Sequence, residues 1–341
     1  MKQPAKQSIP KRRRPTPADE NGANKIHQDR VHCNIPTDNS RPSTSFLTPK
    51  PTCGLVNYDN SCYINSCVQM MFNLKISPTH VNQGIPTKRV LQSHINLITE
   101  MSKESSSLVV SRICDFQREI RNLCRHSPNT QQDSQEALET YLQVFCEHSQ
   151  PSDISFRFQI HKHLRCLYCQ HEYVGQDPDF PSCFLVLPIS DNEFDNVLES
   201  CVERYFRQPE PTLTCLECNN LYTTEWIRYF VTPPQILFIK LNRLDLDRHR
   251  SHGVHFNTAK VYVNEVLNVG SSSYSLNSII CHEGNDYQSG HYYAIIKHET
   301  KWFECNDNVI REIPSISDDR FTKGVYVLAY TKNNLSETAN T

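Results

Sequence analysis

The sequence predicts an α+β fold, and three observations carry that prediction. Up to about residue 150, apolar residues of the body recur three to four apart, the period of helices packed on one face. From about residue 156 they alternate with polar residues or run in short blocks, the pattern of strands. Two Cys-x-x-Cys pairs fall inside the strand-rich half, where hairpin turns could bring them together. Helices first and strands later is the order of an α+β chain rather than of a repeated βαβ unit.

Residues 1–52 stand apart from this body. The first 50 hold seven of the 20 prolines and one aromatic, Phe46. Such a segment cannot bury enough surface to offset its ordering entropy, so a disordered arm is expected. Its Lys11-Arg12-Arg13-Arg14 run could be a nuclear import signal or simply a solvated basic run. The arm carries a net charge of +6 and the remainder −8. A mildly acidic body does not suit nucleic acid and does suit a basic protein or peptide partner. No run approaches the ~18 apolar residues of a membrane span. The N-terminal MKQPAKQSIPKRRRP lacks the apolar core of a signal peptide. An intracellular chain, nuclear or cytoplasmic, with no membrane partner is therefore expected. In that setting fifteen cysteines point to metal binding and catalysis rather than disulfides.

The body begins with GLVNYDNSCYIN, residues 54–65. After Cys62, the residues Ile64, Cys67, Val68, Met71 and Phe72 form one apolar helical face. Asn60 or Ser61 can cap this helix. A thiol in a first helical turn meets free N–H groups and the positive end of the helix dipole, both of which favour thiolate. The Asn57 amide, together with the Cys62 N–H, could hold a developing oxyanion. Further helices are expected at 88–101, at 112–125 and from Gln132 onward, where Asp133 or Ser134 can cap. Strands are expected at 156–161, 183–187, 225–231, 236–241, 279–281, 291–297, 301–304 and 325–331, with one helix near 193–206.

Cys166 with Cys169 and Cys215 with Cys218 make two knuckles that together could bind one tetrahedral zinc ion. Redox use competes for a lone pair, but two pairs favour a structural metal with no open coordination position. The stretch YQSGHYYAIIKHETKWFECNDNVI supplies the second chemical feature. Gly290 permits a tight turn before a strand that opens at His291. A hairpin would return Asn306 beside it, and an amide or carboxylate there can accept the imidazole N–H. A Cys–His–Asn arrangement would follow, with Asp307 next door able to share the role.

These segments resemble the ubiquitin-specific proteases, papain-like cysteine peptidases. GLVNYDNSCYIN is similar to their Cys box, and GHYYAIIK followed by WFECNDNV to their His box. QQDSQEALETYL, PPQILFIKLNRL and VYVLAYTK resemble further family segments, in order, over roughly 53–333. The resemblance implies a helical thumb carrying Cys62 and a β-sheet palm carrying His291 and Asn306. It also implies zinc-held β fingers over about 156–235, with 334–341 left as a flexible tail. It implies a deubiquitinase that hydrolyses (iso)peptide bonds after the C-terminal Gly of ubiquitin. Ubiquitin and ubiquitinated proteins would be its partners, and Asp133 and Glu136 would engage basic residues of the ubiquitin tail. A weakly active ubiquitin-binding scaffold and a peptidase for another ubiquitin-like modifier remain alternatives. The sequence departs from the pattern at Asp59, where the family usually has Gly, at Ala137 and at Leu244. A carboxylate at Asp59 would add negative charge near the thiol and slow the enzyme.

Overall fold

A computed structural model describes residues 53–78, 86–103, 106–127, 130–149, 154–174, 181–190, 196–210, 213–221, 224–245, 255–286 and 289–333. The expected arm, its basic run and the expected tail at 334–341 lie outside the described residues.

Four helices come first, as the periodicity predicts: α1 (Cys62–Asn73), α2 (Pro86–Ser102), α3 (Ser106–Cys124) and α4 (Ser134–His148). The third starts six residues earlier than its pattern indicated, at SSLVVS, whose serines and valines are weak helix formers. Asp133 caps α4, its carboxylate accepting from the Gln135 N–H at 2.8 Å. Ser61 stands at the N-cap of α1 but does not cap it through its side chain. Its hydroxyl instead accepts from the Tyr58 N–H at 3.0 Å, so it ties the preceding loop and not the helix.

The strand-rich half contains β1 (Ile160–Cys166), β2 (Glu172–Val174), β3 (Phe184–Pro188), helix α5 (Leu198–Phe206), β4 (Arg207–Pro209) and β5 (Thr224–Phe230). It continues through β6 (Ile236–Asn242), β7 (Leu244–Asp245), β8 (His255–Phe256), β9 (Val266–Val269) and β10 (Ser272–Asp286). It closes with β11 (Ser289–His298), β12 (Lys301–Asn306), β13 (Val309–Ile313), α6 (Asp319–Gly324) and β14 (Val325–Lys332). Strands β2, β1, β5 and β4 form a separate antiparallel sheet in the expected finger region. β3 lies within 156–235 but leaves that region and pairs in parallel with β6 at the edge of the large sheet. The large sheet runs β13-β12-β11-β10-β14-β6-β3, with β9 on β10.

The large sheet positions the site because it is buried on two faces with a period of two. Phe238, Ile280, Tyr292, Val327 and Ala329 pack with the helices α1 to α4. Their neighbours Leu237, Ile239, Ile279, Tyr293, Leu328 and Tyr330 pack on the opposite side with α5 and α6. Such alternation specifies register, since a slip by one residue would exchange the faces of every side chain. Aromatic rings join helices to sheet, through Tyr141–Phe145 at 6.5 Å, Phe145–Phe156 at 5.6 Å and Phe156–Phe238 at 6.0 Å between centroids. Ala137 is buried where the family pattern has Phe, and Tyr141 and Phe116 pack near it at 5.9 Å from each other. His94 is fully buried against the same rings, hydrogen-bonded to the Tyr141 hydroxyl, and burial lowers its pKa to about 3. It is a neutral core histidine.

Two buried charges brace the sheet. Glu304 on β12 is fully buried and accepts from Arg311 Nε and Nη2, both at 2.9 Å, while Arg320 of α6 also pairs with it. With two guanidinium groups on it, the buried carboxylate keeps a charged partner if either arginine is removed. Arg243, at the end of the PPQILFIKLNRL segment, is also fully buried. It donates to the carbonyls of Val325, Asn257 and Ala259 at 2.6–2.9 Å.

Candidate active site

Cys62 enters from the thumb side as the first residue of α1, buried and 3% exposed. Asp59 and Asn60 precede it at φ 53° and 59°, the left-handed region that glycine adopts without strain and that Asp and Asn tolerate best among other residues. The backbone need at Asp59 is the physical reason that a Gly suits this position. Arg121 of α3 holds the pair in place, its Nη2 donating to the Tyr58 and Asp59 carbonyls at 2.7 and 2.9 Å. Asn57 accepts from the Ser61 N–H at 2.8 Å, which closes the loop.

His291 enters from the palm near the start of β11. Gly290 precedes it because a Cβ there would stand 2.4 Å from the Glu283 carbonyl oxygen. The hairpin between β11 and β12 returns Asn306 as expected, and His291 Nε2 lies 2.7 Å from Asn306 Oδ1. The amide oxygen can only accept, so Nε2 carries a proton and Nδ1 is the nitrogen left for the thiol. The His291 pKa is raised to about 9, chiefly by its hydrogen bond with Cys62. Burial opposes this, while Asn306 and the charges of Cys62 and Asp307 add to it. A thiol and an imidazole in this relation can rest as thiolate and imidazolium, ready for attack on a carbonyl.

Asp307 does not continue the strand. β12 ends at Asn306, which pairs with Val309 across a two-residue loop, and Asp307 turns at φ 49°. Its side chain therefore leaves the alternation and faces the site. Asp307 Oδ2 accepts from Asn57 Nδ2 at 2.9 Å and stands 3.8 Å from His291 Nε2. Its Oδ1 accepts from Asn65 Nδ2 at 2.9 Å. The Asn57 amide is thus held by Asp307 at one end and by the Ser61 N–H at the other. Gly54 allows the two halves of the site to meet, since a Cβ there would stand 2.4 Å from the Asn308 carbonyl oxygen. The Leu55 N–H then donates to the Asp307 carbonyl at 2.8 Å.

Asp133 lies at the seam between helices and sheet, where its Oδ2 accepts from the Tyr326 hydroxyl at 2.7 Å. Glu136 sits in the first turn of α4 with its side chain 58% exposed, 3.7 Å from His126 Nε2. Asp133 is therefore engaged within the chain, while Glu136 is open to a ligand. Tyr292 and Tyr326, their rings 6.2 Å apart, line the same seam.

The four knuckle cysteines converge at one end of the finger sheet, their sulfurs all within 4.8 Å of one another. Cys166 and Cys218 sulfurs are 3.8 Å apart, Cys169 and Cys215 sulfurs 3.6 Å. A tetrahedral ion with Zn–S of about 2.3 Å requires sulfur–sulfur edges of about 3.8 Å, so the spacing fits a metal and not disulfides of ~2.05 Å. The knuckles also share one backbone plan. Gln170 N–H returns to the Cys166 carbonyl and Asn219 N–H to the Cys215 carbonyl, both at 2.9 Å. Both turn residues have positive φ, 61° and 55°. This four-cysteine group could hold a metal ion.

Sequence reasoning brought forward the residues that touch Cys62 and His291, and it missed those that hold them. Asn65, Tyr292 and Tyr326 lie inside the quoted segments but were not singled out there, and Gln117 and Arg121 lie in none of them. A signal did exist for Asn65: Asn65, Gln69 and Asn73 recur four apart on a helix that is otherwise largely apolar.

Residues 53–330 match the model of the family described as ubiquitin carboxyl-terminal hydrolase. The chain is 24% identical over 344 residues to ubiquitin carboxyl-terminal hydrolase 17-like protein D of Mus musculus, covering 91% of this chain and 61% of that protein. It is 25% identical over 338 residues to ubiquitin carboxyl-terminal hydrolase Usp2 of Drosophila melanogaster, covering 82% of this chain and 35% of that one. It thus spans about three fifths of the mouse relative's length and about a third of the fly one's. Among solved structures it is similar to a chain of the SAGA DUB module of Ubp8, Sgf11, Sus1 and Sgf73 bound to monoubiquitin. That likeness has a TM-score of 0.65 and 17% identity, over 85% of this chain and 71% of the other. A second structure of that module, bound to ubiquitin aldehyde, gives 0.64 and 18%. At such identity the likeness speaks for the fold alone, a papain-like one with thumb, palm and fingers. The family match runs from the loop before Cys62 through His291 and Asn306 into β14, the length of chain that builds the site, and so the chain belongs to the ubiquitin carboxyl-terminal hydrolase family.

Proposed function

We propose that this chain is a thiol-dependent deubiquitinase that hydrolyses (iso)peptide bonds after the C-terminal Gly of ubiquitin. The observation that carries the reading is the convergence of Cys62, His291 and Asn306, with the imidazole held at 2.7 Å by the amide and raised in pKa by the thiol. Cys62 is the nucleophile. Its sulfur attacks the carbonyl carbon of the terminal Gly, and the Cys62 N–H and Asn57 receive the oxyanion. The C–N bond breaks and the amine leaves with the proton held by His291. Water then attacks the thioester, gives a proton back through His291, and frees the carboxylate and the thiol. Asn306 orients His291, and Asp307 supports both His291 and Asn57.

Two structures of similar fold were bound to ubiquitin or ubiquitin aldehyde, which supports ubiquitin as the modifier here. Glu136, exposed at the seam, is a carboxylate for a basic residue of the ubiquitin tail, with Asp133 holding the helix start beneath it. Among the described residues no helix is long and apolar enough to cross a membrane. An intracellular site of action, in nucleus or cytoplasm, is proposed from the sequence. Incubation with a ubiquitin propargylamide probe tests the function. Covalent labelling of Cys62 by the ubiquitin probe, and not by probes on other modifiers, is expected; labelling only by another modifier would overturn the choice of ubiquitin.

Zinc is the metal proposed for Cys166, Cys169, Cys215 and Cys218, in a structural role with four thiolates and no open position. One zinc per chain is expected on elemental analysis. Cys215→Ser is expected to lose the ion and to weaken ubiquitin binding more than it slows alkylation of Cys62, because the fingers form a sheet separate from the one that carries His291. A zinc-free preparation with an unchanged melting temperature for Cys215→Ser would sink the assignment.

A further inference from the structure

Helix α1 carries three buried amides, Asn65, Gln69 and Asn73, at four-residue steps. Each bonds outside its helix. Gln69 donates to the Cys53 carbonyl at 2.9 Å, and Asn73 to Asn277 Oδ1 at 2.9 Å. Asn65 is the member that reaches the site, through its 2.9 Å bond to Asp307. Its Nδ2 also faces the carbonyls of Leu55 and Val56 at 3.4 and 3.3 Å.

An amide has a donor end and an acceptor end of almost the same shape, so its neighbours decide which end faces Asp307. The Asp307 carboxylate and the Leu55 and Val56 carbonyls only accept, so Nδ2 faces them, and Gln117 of α3, 1% exposed, holds the opposite end of the amide. Its Nε2 donates to Asn65 Oδ1 at 2.9 Å and to the Val56 carbonyl at 3.0 Å. A backbone carbonyl only accepts, so the Val56 contact orients Gln117. Gln117 then fixes Asn65 Oδ1 in place, and Asn65 presents a donor to the carboxylate. The other carboxylate oxygen takes the Asn57 amide and stands beside His291 Nε2. Each bond in this series has one permitted direction. Asn65 and Gln117 are buried, so water cannot readily replace either donor.

We propose that Asn65 and Gln117 are positioning residues that act through Asp307, holding its carboxylate where it supports the His291 proton and the Asn57 amide. The inference rests on the reading of Cys62 and His291 as the reacting pair. Neither amide touches substrate, so their loss lowers kcat and leaves KM near its wild-type value. Gln117→Glu is the informative change because it keeps the shape and removes the two amide N–H donors. Ionised, the new side chain sets acceptors alone against Asn65 Oδ1 and the Val56 carbonyl; protonated, it has one O–H where the amide had two N–H, so one of those two acceptors loses its partner and the hold on Asn65 loosens either way.

The test is a double-mutant cycle with Gln117→Glu, Asn65→Ala and Asp307→Ala, read in two ways. The first readout is kcat and KM on a ubiquitin–fluorophore amide. The second is the pH profile of iodoacetamide alkylation of Cys62, resolved by peptide mass spectrometry, which needs no substrate. We expect Gln117→Glu to lower kcat by about 10–10²-fold, the scale on which orientation of a catalytic base contributes. We expect no further loss when it is added to Asp307→Ala, because residues that act through one partner are not additive. Losses that multiply in the double variant would overturn the proposal, as would a wild-type alkylation profile for Asp307→Ala. Should Asn65→Ala fail to melt cooperatively, Gln117→Leu carries the same cycle. Should the wild-type chain not turn over the ubiquitin substrate, the functional reading fails. The alkylation profile still decides this proposal: a common shift in Gln117→Glu and Asp307→Ala supports it, and a shift in Asp307→Ala alone overturns it.

Discussion

Cys62→Ser is expected to lower hydrolysis of a ubiquitin–fluorophore amide by about 10⁴-fold or more, the scale on which loss of a nucleophile acts. Serine keeps the shape but is a far weaker acid than a thiol, and so a far poorer nucleophile beside His291. Ubiquitin binding is expected to persist in Cys62→Ala, because one sulfur at the end of the cleft contributes little to the grip on a folded partner. The same variant changes the titration of His291. Its raised pKa means that the proton is held fully below the ordinary value of ~6.5 and lost as pH rises through about 9. The hydrogen bond with Cys62 is the largest cause, so Cys62→Ala is expected to release the proton at lower pH, read from the ring signals of His291 by NMR. Turnover near the wild-type rate in Cys62→Ser would show that another residue is the nucleophile.

Asn306→Ala is expected to lower kcat by about 10–10³-fold, since it leaves the imidazole without the group that sets its tautomer. Asn306→Asp is expected to be tolerated, because a carboxylate accepts from the same Nε2–H. The 2.7 Å contact of Asn306 against 3.8 Å for Asp307 is the basis for ranking Asn306 first as the orienting group. Asp307→Ala acts by a different route. It removes the acceptor of both Asn57 and Asn65, so two amides lose a charged partner at once. Kinetics of the two alanine variants side by side separate these roles. If only the Asp307 variant loses activity, Asn306 must be given up and Asp307 takes its place.

The Cys62 helix, the His291 strand and the two cysteine knuckles were legible because each is local. A helix start, a Gly before a strand and a Cys-x-x-Cys pair are short patterns with one physical meaning each. The return of Asn306 was legible too, since a hairpin fixes which residues face one another. The long strand β10 was only partly legible, read at 279–281 where it runs from Ser272 to Asp286. Its serine-rich first half offers just Tyr274 and Leu276 to the core, and its pairing with both β9 and β14 supplies the rest of the order. Helix α6 and strand β13 were missed for another reason: six and five residues carry too little periodicity to be seen. Glu304 gave no sign that it would be buried between two arginines, because its partners lie seven and sixteen residues away.

The sequence by itself determined the class of fold, the order of its halves, and the thiol, imidazole and amide that make the candidate site. Those follow from local periodicity and from residue chemistry, which are properties of neighbours along the chain. Only the tertiary structure decided how the site is held. Asp307 faces the site because β12 stops one residue before it and the chain turns to positive φ. Asn57 meets Asp307 across 250 residues, and Asn65 meets it across 242. That meeting requires Gly54 to let two backbones touch at Asn308, and Gln117 to fix an amide on another helix. Buried hydrogen bonds are directional and depend on which groups packing brings together, and no pattern along one chain segment records that.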